Sequence, residues 1–232
     1  METMRIFLTG GTSGIGAATA RTLAEAGHKV FAVGRREDKL AALPDGVLTA
    51  VCDVLDPASV VSSVHSAVDA FGGIDVCIPN AGVGHFDALK EGKLEEWHHM
   101  VDLNIKGVLN TIHACLPHLI ETKGHVINIG SLAARNVFPN SGVYCATKHA
   151  VLALSESLRI EFRETLAVTT INPGAVRTEF IQHTSNDSLR EAYEPQFDEG
   201  MSAETIAEAI LMAVEARGKA VFSEITLRPD RR

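Results

Sequence analysis

Aromatic side chains are scarce in this sequence: one Trp, two Tyr and nine Phe make up 5% of the 232 residues. A core built from it has to be aliphatic, and a hydrophobic content of 46% supplies enough to bury a sheet on both faces. Positive charge is short as well. With 21 Lys and Arg against 29 Asp and Glu, the formal net charge is −8. That balance argues against nucleic acid or anionic membrane as partners, because both are held by a concentrated positive field. No apolar run approaches the roughly 20 residues that cross a bilayer. The apolar stretch Ile6–Leu8 behind Met1–Arg5 is far shorter than a signal-peptide core. A cytoplasmic protein is expected.

Cysteine is sparse, and its spacing excludes more than its number does. Cys52, Cys77, Cys115 and Cys145 contain no pair at metal-ligand spacing, so reduced, buried thiols are expected. The ten histidines include the pairs His98–His99 and His113–His118, but none shares one face with an added carboxylate motif, and no metal site is expected. There is no internal repeat and no low-complexity linker. The length suits one α/β domain spanning 1–232.

What is present is a regular alternation. Apolar runs at Met4–Thr9, Val30–Val33, Val47–Val51, Ile74–Ile78, His125–Ile129, Ala167–Ile171 and Ala220–Ile225 read as strands. Helical patterns lie between them, including long ones at Leu94–Glu121 and Val143–Glu164. Strands that are apolar throughout and separated by helices predict a doubly wound parallel sheet of about seven strands, Rossmann-type, with helices on both faces. From Arg177 to Gly200 the chain turns polar and acidic, with Phe180, Tyr193 and Phe197 scattered through it. Because this segment directly follows a strand's carboxyl end, it reads as a lid over a ligand crevice.

The first strand runs into Thr9-Gly10-Gly11-Thr12-Ser13-Gly14-Ile15-Gly16 and then a helix. Gly10 permits a sharp turn, Gly14 a close backbone approach to phosphate, and Gly16 close helix–strand packing. The helix N-terminus offers free amide donors and a partial positive charge, so Thr12, Ser13 and Ile15 belong to a pyrophosphate site. Further signals follow in order: Asn80-Ala81-Gly82 after the fourth strand, Asn104 in a helix, Ser131 after the fifth strand, Tyr144-x-x-x-Lys148, and Asn172-Pro173-Gly174 with Thr178 beyond it.

In this order the motifs resemble those of the short-chain dehydrogenase/reductase family over essentially the whole chain. One departure is Pro79, where many relatives carry a second asparagine; the expected consequence is a lost local hydrogen bond with the fold kept. The resemblance implies that Asp53 and Val54 contact adenine, that the Asn80–Gly82 turn borders the adenosine ribose, and that Pro173, Gly174, Val176 and Thr178 lie near the nicotinamide. It further implies catalysis by Ser131, Tyr144 and Lys148, with Asn104 keeping a water in a proton relay behind Lys148. The family commonly forms dimers or tetramers through its two long helices, so a homo-oligomer is expected.

The choice of nicotinamide turns on the end of the second strand, Val33-Gly34-Arg35-Arg36. Gly34 stands where NAD-preferring relatives carry an acid, and a guanidinium fork suits a ribose phosphate. NADP(H) is therefore expected. Tyr144 and Lys148 are four apart and share a helix face. A nearby ammonium favours the phenolate, so Tyr144 can exchange a proton with the substrate oxygen that Ser131 also binds. The expected activity is hydride transfer between NADP(H) and a small or medium carbonyl or alcohol. Alternatives are an NAD-dependent alcohol dehydrogenase acting on a hydroxy acid, sugar or steroid, and a non-catalytic nucleotide sensor. Phe180, Tyr193 and Phe197 either wall the pocket or pack the lid, with His85 and Phe86 opposite. Cys145 reads as a packing residue.

Overall fold

The computed structural model describes residues 2–230. Seven parallel strands form one sheet: β1 (Arg5–Thr9), β2 (Lys29–Gly34), β3 (Leu48–Val51), β4 (Val76–Ile78), β5 (His125–Ile129), β6 (Ala167–Pro173) and β7 (Glu224–Leu227). Their order is β3-β2-β1-β4-β5-β6-β7. Alternation along β1 sends Ile6 and Leu8 to one face, where α1 (Gly14–Glu25) and α8 (Ala203–Glu215) cover them. Phe7 points to the other face, against α3 (Pro57–Phe71), α5 (Gly107–Thr122) and α6 (Gly142–Glu161). Both cores are largely aliphatic, as the composition requires. The short helices α2 (Glu37–Ala41) and α4 (Leu94–Val101) and the outer helix α7 (Asp187–Asp198) complete the chain. Among the described residues, no helix is long and apolar enough to cross a membrane.

Local signals account for the boundaries. Asp56 caps α3 by accepting from the Ala58 amide at 3.0 Å, Pro57 opens the helix, and Gly72 ends it in the left-handed region at φ 78°. At the amino end of the sheet, Arg5 forks onto Asp75, donating through Nε and Nη2 at 2.8 Å each. That bond ties the start of β1 to the residue before β4.

Two expectations are corrected. The helix expected over Leu94–Glu121 is interrupted by a π turn at Asp102–Lys106, which shifts the helical register and brings Asn104 inward, 1% exposed. The final strand lies later than Ala220–Ile225, because Ala220 donates back to the Ala216 carbonyl and continues the turn after α8. The 177–200 segment, expected as a lid, holds a 3₁₀ turn at Glu179–His183 followed by α7.

Candidate active site

β1 is flanked by β2 on one side and β4 on the other, so the chain winds outward in opposite directions from this point and leaves a crevice at the carboxyl ends of the strands. A cavity of about 760 Å³ opens there. Its floor is the glycine turn, with Gly10 at φ +71° and Gly14 at φ +51°. A Cβ on Gly16 would stand 2.0 Å from the Gly10 carbonyl oxygen, so only glycine fits where α1 leaves β1. Ser13 precedes α1 without a side-chain cap, leaving amide donors of the first turn for a ligand. These features fit a pyrophosphate. Asn80 fixes the turn from the neighbouring strand, donating through Nδ2 to the carbonyls of Thr9 and Gly10 at 3.0 and 3.2 Å. The chain keeps this stitching despite Pro79.

The residues expected to hold the dinucleotide all line this cavity: Gly10, Thr12 to Gly16, Arg35, Arg36, Asp53, Val54, Asn80 to Gly82, Tyr144, Lys148, Pro173, Gly174, Val176 and Thr178. Asp53 also holds its own loop, accepting from the Leu55 amide at 3.0 Å. Thr178 caps the following 3₁₀ turn and lies over the glycine loop, where a Cβ on Gly14 would meet its Cγ2 at 3.1 Å.

Ser131, Tyr144 and Lys148 meet on one wall of the crevice. α6 places the tyrosine and lysine one turn apart, with Lys148 Nζ 5.9 Å from the Tyr144 ring centre. Lys148 is buried and donates to the Ile129 carbonyl at 2.8 Å. Burial pushes the Tyr144 hydroxyl up to about 12, with Ser131 pulling the other way. Burial also brings the Lys148 ammonium down to about 8. Near neutrality these shifts keep the proton on the phenol and the charge on the lysine. Ser131 accepts from the Ala133 amide at 3.1 Å, which holds its hydroxyl beside that of Tyr144.

Asn104 does not reach the crevice. Its Oδ1 accepts from the Val83 amide at 2.8 Å, and Nδ2 donates to the Val83 carbonyl at 2.8 Å and to Thr147 Oγ1 at 3.1 Å. Both amide hydrogens are committed, so the side chain is a brace between the 82–83 turn and α6. Thr147 passes the brace on, donating to the Tyr144 carbonyl at 2.7 Å.

At the β2 end Arg36 Nη2 donates to Ser13 Oγ at 2.6 Å and to Thr12 Oγ1 at 3.2 Å, while Nη1 faces Glu179 Oε2 at 3.4 Å. Gly34 has no room for a side chain, since a Cβ would lie 2.5 Å from Thr12 Cγ2. A histidine cluster, not foreseen from the sequence, sits beside the arginines. His85 and His99 approach at 3.4 Å, and the His183 ring centre is 6.5 Å from that of His85. Burial, then His85 and Arg35, hold His99 below its usual range. His99 and His183 line the crevice, whereas His85, expected there, lies behind them. Among the described residues no group of these side chains has metal-holding geometry.

The lid's aromatic residues do both things proposed for them. Phe180 stands 5.5 Å from the Tyr144 ring, Phe86 5.8 Å from it, and Tyr193 and Phe197 lie 5.6 and 6.2 Å from Phe86. They pack on one another and line the cavity. The cysteines are buried and unpaired. Burial, with Cys77 beside it, drives the Cys115 thiol well above its usual value, away from thiolate reactivity.

Comparison with known proteins agrees with this geometry. The family model described as short chain dehydrogenase matches residues 4–189. An uncharacterised oxidoreductase of Staphylococcus saprophyticus is 37% identical over 97% of this chain and 95% of its own length. The solved alcohol dehydrogenase of Thermococcus sibiricus, complexed with 5-hydroxy-NADP, is similar at 29% identity with a TM-score of 0.89, covering 100% of this chain and 98% of that one. A structure from Burkholderia phymatum in complex with NAD shares the fold, with a TM-score of 0.88 at 24% identity over 96% of this chain and 89% of that one.

Proposed function

Since the chain belongs to the short-chain dehydrogenase/reductase family and is thereby an oxidoreductase of a nicotinamide-binding fold, we propose that it is an NADP(H)-dependent carbonyl reductase. The observation that carries the reading is the joining, in one crevice, of the Tyr144 phenol over a buried lysine with a β2 end that offers two arginines and no acid. The cofactor preference rests on this chain's own residues. Arg35 and Arg36 would hold a 2′-phosphate, and the room that NAD-preferring relatives give to an acid is taken here by Thr12.

When bound, the reduced nicotinamide supplies the hydride. Ser131 donates to the carbonyl oxygen and sets its direction. Tyr144 Oη delivers the proton to that oxygen as negative charge develops there, and the Lys148 ammonium stabilises the phenolate left behind. Lys148 has donors beyond the one spent on Ile129, and these would hold the nicotinamide ribose. Asn104 acts through Thr147, keeping the first turn of α6 against the 82–83 turn. The 177–200 segment keeps water from the reacting atoms.

Buried, unpaired cysteines and the acidic balance support a cytoplasmic setting with no nucleic-acid or membrane partner. Exposed Leu109 on α5 and Ile160 on α6 support a homo-oligomer built on those helices, which light scattering at micromolar concentration checks. The function is tested by fluorescence titration with NADPH and NADH, followed by a carbonyl panel. Tight NADPH binding and NADPH-dependent reduction are expected; preferential NADH binding would overturn the cofactor choice.

A further inference from the structure

The few aromatic residues of this chain are not spread evenly. Both tyrosines, Tyr144 and Tyr193, and three of the nine phenylalanines, Phe86, Phe180 and Phe197, meet at one end of the crevice. Their ring centres stand 5.5–6.2 Å apart in edge-on and tilted arrangements. The backbone makes space for them. A Cβ on Gly84 would lie 2.4 Å from Phe180 Cζ, so a glycine lets that ring settle beside Tyr144.

Polar groups at this end are largely spent. The Tyr193 hydroxyl donates to the Pro139 carbonyl at 3.2 Å, so it contributes a ring face. Ser141 donates to the Phe138 carbonyl at 2.9 Å. Gln196 alone brings an amide with no protein partner among the described residues. Of the charged and titratable groups that line the cavity, Glu179 faces Arg36, while burial holds His99 and His183 below their usual range, so that they stand as neutral imidazoles. Lys148 lies under Tyr144 and is turned to the Ile129 carbonyl. A carboxylate or phosphate carried by the substrate would therefore sit among rings with no cation to meet it, at a large desolvation cost.

We infer that the substrate is an uncharged aldehyde or ketone bearing an aromatic ring, held by Phe86, Phe180, Tyr193 and Phe197 with its carbonyl oxygen at Tyr144 and Ser131. The inference rests on the reductase reading and narrows it. In the reaction the carbonyl carbon takes a hydride from NADPH and the oxygen takes the Tyr144 proton, giving an aryl-bearing secondary or primary alcohol and NADP⁺. A ring entering the cage gains offset or edge contacts that a saturated ring of equal size cannot make. Gln196 leaves room for one neutral polar substituent.

The test compares kcat/KM for phenylacetone, cyclohexylacetone, phenylpyruvate and propanal with NADPH. Two or three aromatic contacts make phenylacetone about tenfold better than cyclohexylacetone. Phenylpyruvate is poorer than phenylacetone, although its carbonyl is the more electrophilic. Phe197→Leu lowers the phenyl-to-cyclohexyl ratio toward one, and Phe180→Leu does the same, so the result does not hang on one variant's folding. Equal rates for the two ring ketones, or a preference for phenylpyruvate, overturn the inference and leave the reductase reading intact wherever propanal is turned over. If NADPH is not oxidised with any of the four carbonyls, the reading beneath it fails and the inference falls with it.

Discussion

The crevice end beyond β2 and β3 presents Arg35, Arg36, Asp53 and Glu179, whereas the end beneath the lid presents Phe86, Phe180, Tyr193 and Phe197 around Tyr144. At the first end the two arginines are exposed, and Arg36 pairs with Glu179 at side-chain exposures of 44% and 65%. Water screens such a pair, so it is easily exchanged for a ligand phosphate. At the second end Tyr144 is 9% exposed, and burial, outweighing Ser131, moves its hydroxyl up to about 12 and brings Lys148 down to about 8. On the proposed function, the chain reads a ligand's charge where solvent is close and handles a proton where solvent is shut out. Recognition and chemistry should separate under mutation.

The largest effect expected is from Tyr144→Phe. Removing a general acid lowers kcat/KM by about 10³-fold, while the NADPH dissociation constant in a fluorescence titration stays within about twofold, because no group near the arginines changes. Next comes the double variant Arg35→Ala/Arg36→Ala. Loss of two charge-assisted contacts to phosphate raises the NADPH dissociation constant by about 100-fold, and NADH binding is nearly unaffected. Equal weakening for both dinucleotides would erase the proposed division. Gly34→Asp sharpens it further. Alone, the new side chain collides with Thr12, whose Cγ2 lies 2.5 Å from the Cβ position, and binding of both cofactors falls. With Thr12→Ala added, the carboxylate finds room and shifts preference toward NADH by about tenfold.

The smallest effect is in pH. Lys148 keeps its charge below about 8 and loses it above. Since the charged form stabilises the departing phenolate, the reduction rate falls as pH rises through that value. Lys148→Met lowers the rate and removes the inflection. A wild-type profile flat from pH 7 to 10 would remove Lys148 from the proton step.

The charged end was the more legible in the sequence. Gly10, Gly14, Gly34 and Arg35–Arg36 stand in short, contiguous motifs whose backbone demands are local, and the structure puts each at the expected turn. The interior strands were equally readable, because burial on both faces forces continuous apolar runs. β7 pairs only with β6 at the edge and is half-exposed, so its signal is weak and its position was misplaced. The aromatic end is assembled from Gly84–Phe86, α6 and the lid, which are far apart in the chain. α7 was missed because it buries no residue fully and carries Pro195 inside it. Asn186 did mark its start, accepting from the Leu189 amide at 3.2 Å, and Tyr193 and Phe197 at four-residue spacing share its inner face. The π turn around Asn104 has no comparable sequence mark. The histidine cluster joins residues 85, 99 and 183 through tertiary packing alone.

A crystal structure of the protein with NADP⁺ tests the two-ended crevice most directly. The 2′-phosphate is expected between Arg35 and Arg36, and the nicotinamide ring beside Tyr144, facing the Phe86–Phe180 rings. A dinucleotide lying in the reverse direction, or a nicotinamide held away from the Tyr144 hydroxyl, would contradict it.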